Sequence, residues 1–271
     1  MSVLEQIVAR TRADLAERRR VVPAAALEAT LRPRAPGRFS AALSPRPAVA
    51  PANLDRRASG PRAPLALIAE VKPRSPSRGA LCALERVPEV VEVYSRHAQA
   101  ISVLCDAPHF GGGYPLLASV RAQTDLPILA KDFVVDRYQL LEARAAGADA
   151  VLLMAAVVSP AELGRLLEAA SALGLDALVE AHDADELAIS LASGARVIGV
   201  NSRDLKTLHI DAERARGLLA TVGPDRIRVA ESGVTSVEDV RRLSGCADAA
   251  LVGSALVSAD DLEAKIEALG W

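Results

Sequence analysis

Residues 68–79 read Ile-Ala-Glu-Val-Lys-Pro-Arg-Ser-Pro-Ser-Arg-Gly, an aliphatic run interrupted by a carboxylate and an ammonium. Alternate side chains of a strand share a face, so Glu70 and Lys72 project together. Ionised groups are kept in a core only when they are paired or used in chemistry. The turn that follows is rich in hydroxyls and proline and ends in glycine. Lys72 supplies charge there and Ser75 a donor, which suits an anion such as a phosphorylated substrate held beside a carboxylate. The same residues also fit a structural ion pair under a polar turn, because buried pairs occur for structural reasons too.

Further along the chain, other short aliphatic runs end in polar residues: Lys131 and Asp132, Glu180, Asn201 and Arg203, Glu231 and Ser232, and Gly253 and Ser254. Any one of these reads as a solvated strand end. Together, two lysines and three glutamates at one mouth repel or protonate one another unless they pair around a ligand, and such crowding tunes acids and bases. Gly233, Gly253 and Ser254 let backbone donors approach an anion without bulky side chains in the way.

These groups need a scaffold that brings many strand ends to one place. From Ile68 onward, eight short runs alternate with amphipathic segments, at Ile68–Lys72, Ala100–Leu104, Pro127–Phe133, Ala150–Ala155, Asp176–His182, Val197–Asp204, Ile227–Gly233 and Ala249–Gly253. Their starts recur every twenty-one to thirty-two residues, the interval that a strand, a loop and a covering helix require. Ser159-Pro-Ala-Glu162 and Thr235-Ser-Val-Glu238 match capping boxes, and Gly147, Gly174 and Gly194 stand where helices end. No nucleotide-binding glycine fingerprint follows the first run, as an open doubly wound sheet usually shows. The pattern predicts a closed (β/α)₈ barrel over 271 residues, with its site at the carboxyl ends of the strands.

Ahead of the barrel, Leu4, Ile7, Val8, Thr11 and Leu15 mark one face of a helix, and a second short helix is expected at 24–31. The expected organisation is one barrel domain, 1–271, with a helical extension at 1–44 set over a barrel end. Residues 45–64 contain five prolines and read as an irregular loop. Residues 1–62 carry twelve arginines and five acids, a balance of +7, whereas the remainder stands at −9. A basic helix docked on an acidic body explains this better than nucleic acid does, and aromatics at 3% supply no stacking platform.

Cys82, Cys105 and Cys246 are odd in number and far apart, which suits reduced thiols rather than a disulfide framework or zinc site. The four histidines show no metal-ligand spacing, and no apolar run reaches transmembrane length. A cytoplasmic protein is expected, without membrane or nucleic-acid partners.

Beyond the Glu70-Val-Lys-x-x-Ser-Pro-Ser-x-Gly79 pattern, the segments Ala100-Ile-Ser-Val-Leu104, Phe110-Gly-Gly112, Lys131-Asp-Phe133, Asn201-Ser-Arg-Asp-Leu205, Glu231-Ser-Gly233 and Val252-Gly-Ser-Ala-Leu256 follow in order. In that order and spacing the chain resembles the indole-3-glycerol phosphate synthases over almost its whole length. The resemblance implies ring closure of 1-(2-carboxyphenylamino)-1-deoxyribulose 5-phosphate with loss of carbon dioxide and water, in a monomer, without metal or organic cofactor. It implies Lys131 as the general acid at the ribulose carbonyl and Glu180 as stabiliser of the cationic ring intermediate and participant in proton transfer. Glu70 and Lys72 would assist, the second acid role lying with either. Asn201, Arg203, Glu231 and Ser232 would orient the substrate, while Ser75, Gly233, Gly253 and Ser254 would hold its phosphate. Departures at Pro73-Arg74, at Ala130 and in the long proline-rich segment bear on loop movement and affinity rather than on reaction type. The competing reading is a non-catalytic phosphate-binding or pathway-scaffold barrel that uses the basic arm as its interaction surface.

Overall fold

In the computed structural model, residues 3–44, 65–76, 78–204, 207 and 209–271 are described. The expectation of an irregular loop at 45–64 therefore lies outside the described residues. Eight parallel strands form a closed barrel: β1 (Ala66–Val71), β2 (Ala100–Leu104), β3 (Ile128–Lys131), β4 (Ala150–Met154), β5 (Asp176–Ala181), β6 (Val197–Asn201), β7 (Ile227–Glu231) and β8 (Ala249–Val252). The ring closes where β1 sits between β8 and β2, with Ala66 opposite Ala249 and Ile68 opposite Ala100. All eight expected strands are present. Several expected ends were too long, because the last one to three residues of those runs have left the ladder to become loop.

The period of two sorts each strand into an outer and an inner column. Leu67, Ala69 and Val71 belong to the outer core under the helices, whereas Ile68, Ala100, Leu129, Ala150, Leu178, Val197, Val229 and Ala249 fill the barrel interior. Each fully buried Leu or Ile among them contributes about 1.5–3 kcal/mol. Continuing the inner column by two residues leads from Ile68 to Glu70, from Leu129 to Lys131, from Leu178 to Glu180 and from Val229 to Glu231. The interior is thus aliphatic at its amino end and ionic at its carboxyl end.

Side-chain caps fix the starts of several helices. Ser159 and Glu162 form the expected capping box. The second box is displaced by one residue: Ser236, not Thr235, is the cap, and its reciprocal partner is Asp239 rather than Glu238. Asp239 Oδ2 also accepts from the Thr235 amide and hydroxyl at 3.0 Å, so the aspartate gathers both candidate cap residues. Gly147, Gly174 and Gly194 all have positive φ at or just past helix ends, as expected.

The arm contains α1 (Val3–Val21), α2 (Ala24–Thr30) and α3 (Arg38–Leu43). The third helix was not anticipated, and the arm does not simply cap one end of the barrel. Phe39 and Leu43, at 0% and 1% exposure, pack with the interior residues and plug the amino end. At the other extreme, Val3, Leu4 and Ile7 line the opposite mouth. Between these points Tyr138 donates to the carbonyls of Arg18 at 3.0 Å and Val22 at 2.7 Å, and Arg18 pairs with Glu142. Asp149, 2% exposed, receives Arg34 at 3.0 Å, Arg38 at 2.9 Å and Arg121 at 3.1 Å. The basic arm is docked on acidic groups of the body. Among the described residues no helix is long and apolar enough to cross a membrane.

Candidate active site

A cavity of about 380 Å³ opens at the carboxyl ends of the strands. Eleven of the twelve site residues expected from sequence line it: Glu70, Lys72, Ser75, Lys131, Glu180, Asn201, Arg203, Ser232, Gly233, Gly253 and Ser254. Glu231 is the twelfth; its side chain is 0% exposed and sits against Lys131 instead.

Lys131, the last residue of β3, is the hub. Its ammonium lies 2.8 Å from Glu231 Oε2, 3.6 Å from Glu70 Oε2 and 3.9 Å from Glu180 Oε2. Lys72 reaches back along β1 to pair with Glu70 Oε1, as the shared face requires. Ser102 donates to Glu70 Oε2 at 3.5 Å from the neighbouring strand. Two interior glycines leave room for these carboxylates. A Cβ on Gly253 would stand 2.3 Å from Glu70 Oε1, and one on Gly199 would stand 2.3 Å from Glu231 Oε1.

Burial opposes every charge here, and the partners decide the outcome. Burial pushes the Lys131 ammonium down, but Glu231, Glu70 and Glu180 outweigh it and hold the lysine protonated well above its ordinary range. Glu70 is pushed up by burial and brought below its ordinary range by Lys72 and Lys131. Glu180 likewise ends lowered, by His182 first and Lys131 second. Glu231 goes the other way, raised by burial and by the neighbouring Glu180 charge more than Lys131 lowers it. One carboxyl of that pair therefore favours the protonated form. Among the described residues Glu180 Oε2 and Glu231 Oε1 are buried without a hydrogen-bond partner.

The far side of the cavity is built for an anion. Ser232 and Gly233 follow β7 with φ of 64° and 79°, a left-handed pair that turns the backbone sharply under the cavity. Asn201 Oδ1 accepts the Arg203 amide at 3.0 Å, fixing the start of the next loop. The Arg203 guanidinium is lowered by burial and by the nearby Arg78 cation, so two like charges face this end of the cavity. Their charges favour an anion at this end. The opposite wall, past the ends of β2 and β3, is apolar, with Phe110 and Phe133 tilted at 35° and 6.2 Å between centroids.

Four residues were not picked out as site residues from sequence. Phe110 and Phe133 lie within motifs that carried the family resemblance, but an aromatic beyond a strand end looks like ordinary packing. Arg78 is one of many arginines, and only the fold brings it opposite Arg203. His182 was readable: it stands two residues after Glu180, the same spacing that relates Lys72 to Glu70.

Comparison with known proteins agrees with the geometry. The family model described as indole-3-glycerol phosphate synthase matches residues 4–269. The chain is 44% identical over 259 residues to the Micrococcus luteus indole-3-glycerol phosphate synthase, covering 95% of this chain and 92% of that one. It is 45% identical over 268 residues to the Nocardioides sp. enzyme of that name, covering 98% and 97%. Identity with indole-3-glycerol phosphate synthase 2 of Streptomyces coelicolor is 46% over 234 residues, covering 86% and 91%. Among solved structures, a thiamine phosphate pyrophosphorylase from Pyrococcus furiosus superposes with a TM-score of 0.56 at 21% identity, over 76% of this chain and 93% of that one, a likeness of fold alone. By family model and by relatives aligned over nearly its full length, the chain belongs to the indole-3-glycerol phosphate synthase family.

Proposed function

We propose that this cavity converts 1-(2-carboxyphenylamino)-1-deoxyribulose 5-phosphate to indole-3-glycerol phosphate, carbon dioxide and water, with the residues in the following roles. The observation that carries the reading is Lys131, an ammonium held among the carboxyl groups of Glu231, Glu70 and Glu180 inside a cavity that is apolar on one side and cationic on the other.

The phosphate takes the end formed by Ser75, Gly233, Gly253 and Ser254, with Arg203 and Arg78 neutralising it. This anchors the ribulose chain so that its carbonyl oxygen meets Lys131. The anilino ring lies against Phe110 and Phe133. As the ring carbon that bears the carboxylate attacks the carbonyl, negative charge develops on the oxygen, and Lys131 donates a proton to it. A lysine gripped by carboxylates enters the step reliably protonated, and the developing alkoxide is a far stronger base than they are.

Attack leaves the ring system cationic, and the ionised Glu180 stabilises that charge. The carbon–carboxylate bond then breaks, its electron pair restoring the ring system and releasing carbon dioxide. Loss of the new hydroxyl as water needs a proton on that oxygen and removal of one from carbon. Glu180 takes part in this transfer, with the second acid supplied by Lys72 or Glu70. Glu231 holds Lys131 in place, and Asn201 and Ser232 orient the substrate.

Retention of Glu70, Lys72, Lys131 and Glu180 in one cavity disfavours the scaffold alternative. The reading takes residues 1–271 as one barrel with its arm docked, working as a monomer in the cytoplasm, since a single chain supplies every group named. A fluorescence assay for indole formation from the carboxyphenylamino-deoxyribulose phosphate tests the activity. Turnover is expected; substrate binding without turnover would support the scaffold reading.

A further inference from the structure

His182 lies just beyond the end of β5, behind Glu180 and outside the substrate cavity. Its side chain is 10% exposed, yet both ring nitrogens face carboxylates. Nδ1 is 2.9 Å from Glu186 Oε2, and Nε2 is 3.2 Å from Glu180 Oε1. The first contact is doubled, because the same Glu186 oxygen accepts the His182 backbone amide at 2.8 Å. The second has ion-pair distance without hydrogen-bond alignment: among the described residues Nε2 is a buried nitrogen lacking a hydrogen-bond partner. Arg214, from the helix Ala212–Leu219, donates to the His182 carbonyl and, at 3.3 Å, to those of Asn201 and Ser202. The ends of β5 and β6 are thereby tied behind the site.

We propose that His182 is a positioning residue that, braced by Glu186, holds the Glu180 carboxylate ionised and aimed into the cavity. The proposal rests on the reading of Glu180 given above. An imidazole between two carboxylates carries hydrogen on both nitrogens, so it is a cation that contacts Glu180 from the side away from substrate. The charged groups around it are Glu180 on its own strand, Glu186 on the helix Ala184–Ala192 and Arg214 from the helix that follows β6; beyond Glu180 stand Lys131 and Glu231. Burial pushes the imidazole down, but Glu180 and Glu186 override it and raise it to about 10. Without that cation, Glu180 keeps Lys131, at 3.9 Å, and the neighbouring Glu231 carboxyl against its own burial.

The experiment is the pH dependence of kcat and kcat/KM for the unaltered chain, His182→Gln, Glu186→Gln and Glu180→Gln. His182→Gln is expected to move the acidic limb of both profiles upward by about one unit or more, as loss of a neighbouring cation does. Its rate should recover as pH rises, with KM changed by less than about threefold because the phosphate end is untouched. Glu186→Gln should shift the limb in the same direction by less. A His182→Gln profile of unchanged shape, whether lowered evenly or not at all, overturns the proposal. An active Glu180→Gln overturns the reading of Glu180 and the proposal with it. An inactive Glu180→Gln beside an unshifted His182→Gln removes the proposal alone. If His182→Gln fails to fold by circular dichroism, Glu186→Gln decides: an unshifted limb there overturns the proposal.

Discussion

Lys131 Nζ and Glu231 Oε2 are 2.8 Å apart although one hundred residues separate them, joining the end of β3 to the end of β7 across the barrel. This contact sets the geometry of the proposed acid. Glu231→Gln keeps the shape but replaces the carboxyl that Lys131 and Glu180 share, so the hold on Lys131 weakens and the ammonium shifts toward Glu70 and Glu180. A displacement of about 1 Å in such a group costs about 10²-fold. Steady-state kinetics should show kcat down by about that factor with KM little changed.

The glycines beside the carboxylates separate stability from activity. A methyl at Gly199 would meet Glu231 Oε1, the mobile end of a side chain, at 2.3 Å and Leu178 Cδ1 at 3.1 Å. The carboxylate can swing away, so Gly199→Ala should unfold within about 1–3 kcal/mol of the unaltered chain. It should nonetheless lose most of its turnover, because the group that moves holds Lys131. Equal loss in stability and none in rate would show that Glu231 has no such role.

Ion pairs around His182 predict a pH dependence of stability with a definite sign. A folded-state pKa raised to about 10 means that the His182 cation contributes fully below the ordinary histidine range near 6.5. The contribution then declines as pH rises and is gone above about 10. The lowered Glu180 acts oppositely: its contribution is present above the ordinary glutamate range and is lost as pH falls through its folded value. Urea midpoints of the unaltered chain and His182→Gln should differ most near pH 6 and converge toward pH 10.

At the barrel's amino end the expectation concerns folding alone. Asp149 is 2% exposed and pairs with Arg34, Arg38 and Arg121. Asp149→Ala leaves three guanidinium groups without it and should cost about 3–5 kcal/mol, the usual penalty for breaking a buried pair from one side. Arg96→Ala removes a pair with Glu263 that is 44% and 43% exposed and should cost at most about 1 kcal/mol. Similar losses in the two variants would contradict the account of how the arm is docked.

Much of this was legible from residue types alone. Strand alternation put Glu70 and Lys72 on one face, and the same period carries Leu178 to Glu180 and Val229 to Glu231 inside the barrel. Eight repeats with helix caps between them specified closure, which then made β8 the neighbour of β1. What sequence did not disclose depends on long-range proximity. Nothing local says that Arg78 faces Arg203, that Phe39 plugs the barrel floor, or that Gly199 exists to make room for Glu231. The choice of Ser236 over Thr235 as a cap was also unreadable, since Glu238 and Asp239 both suit the reciprocal role and backbone geometry chooses between them. Metal-ligand spacing does not single out His182, whereas the strand spacing that relates Lys72 to Glu70 does.

Lys131 is the proposed proton donor in ring closure. The most direct measurement is indole formation from the carboxyphenylamino-deoxyribulose phosphate by the unaltered chain and Lys131→Ala, each saturated with substrate. Turnover is expected from the first and at least about 10²-fold less from the second, the lower end for losing a general acid, with substrate still bound. Near-normal turnover by Lys131→Ala would contradict that role.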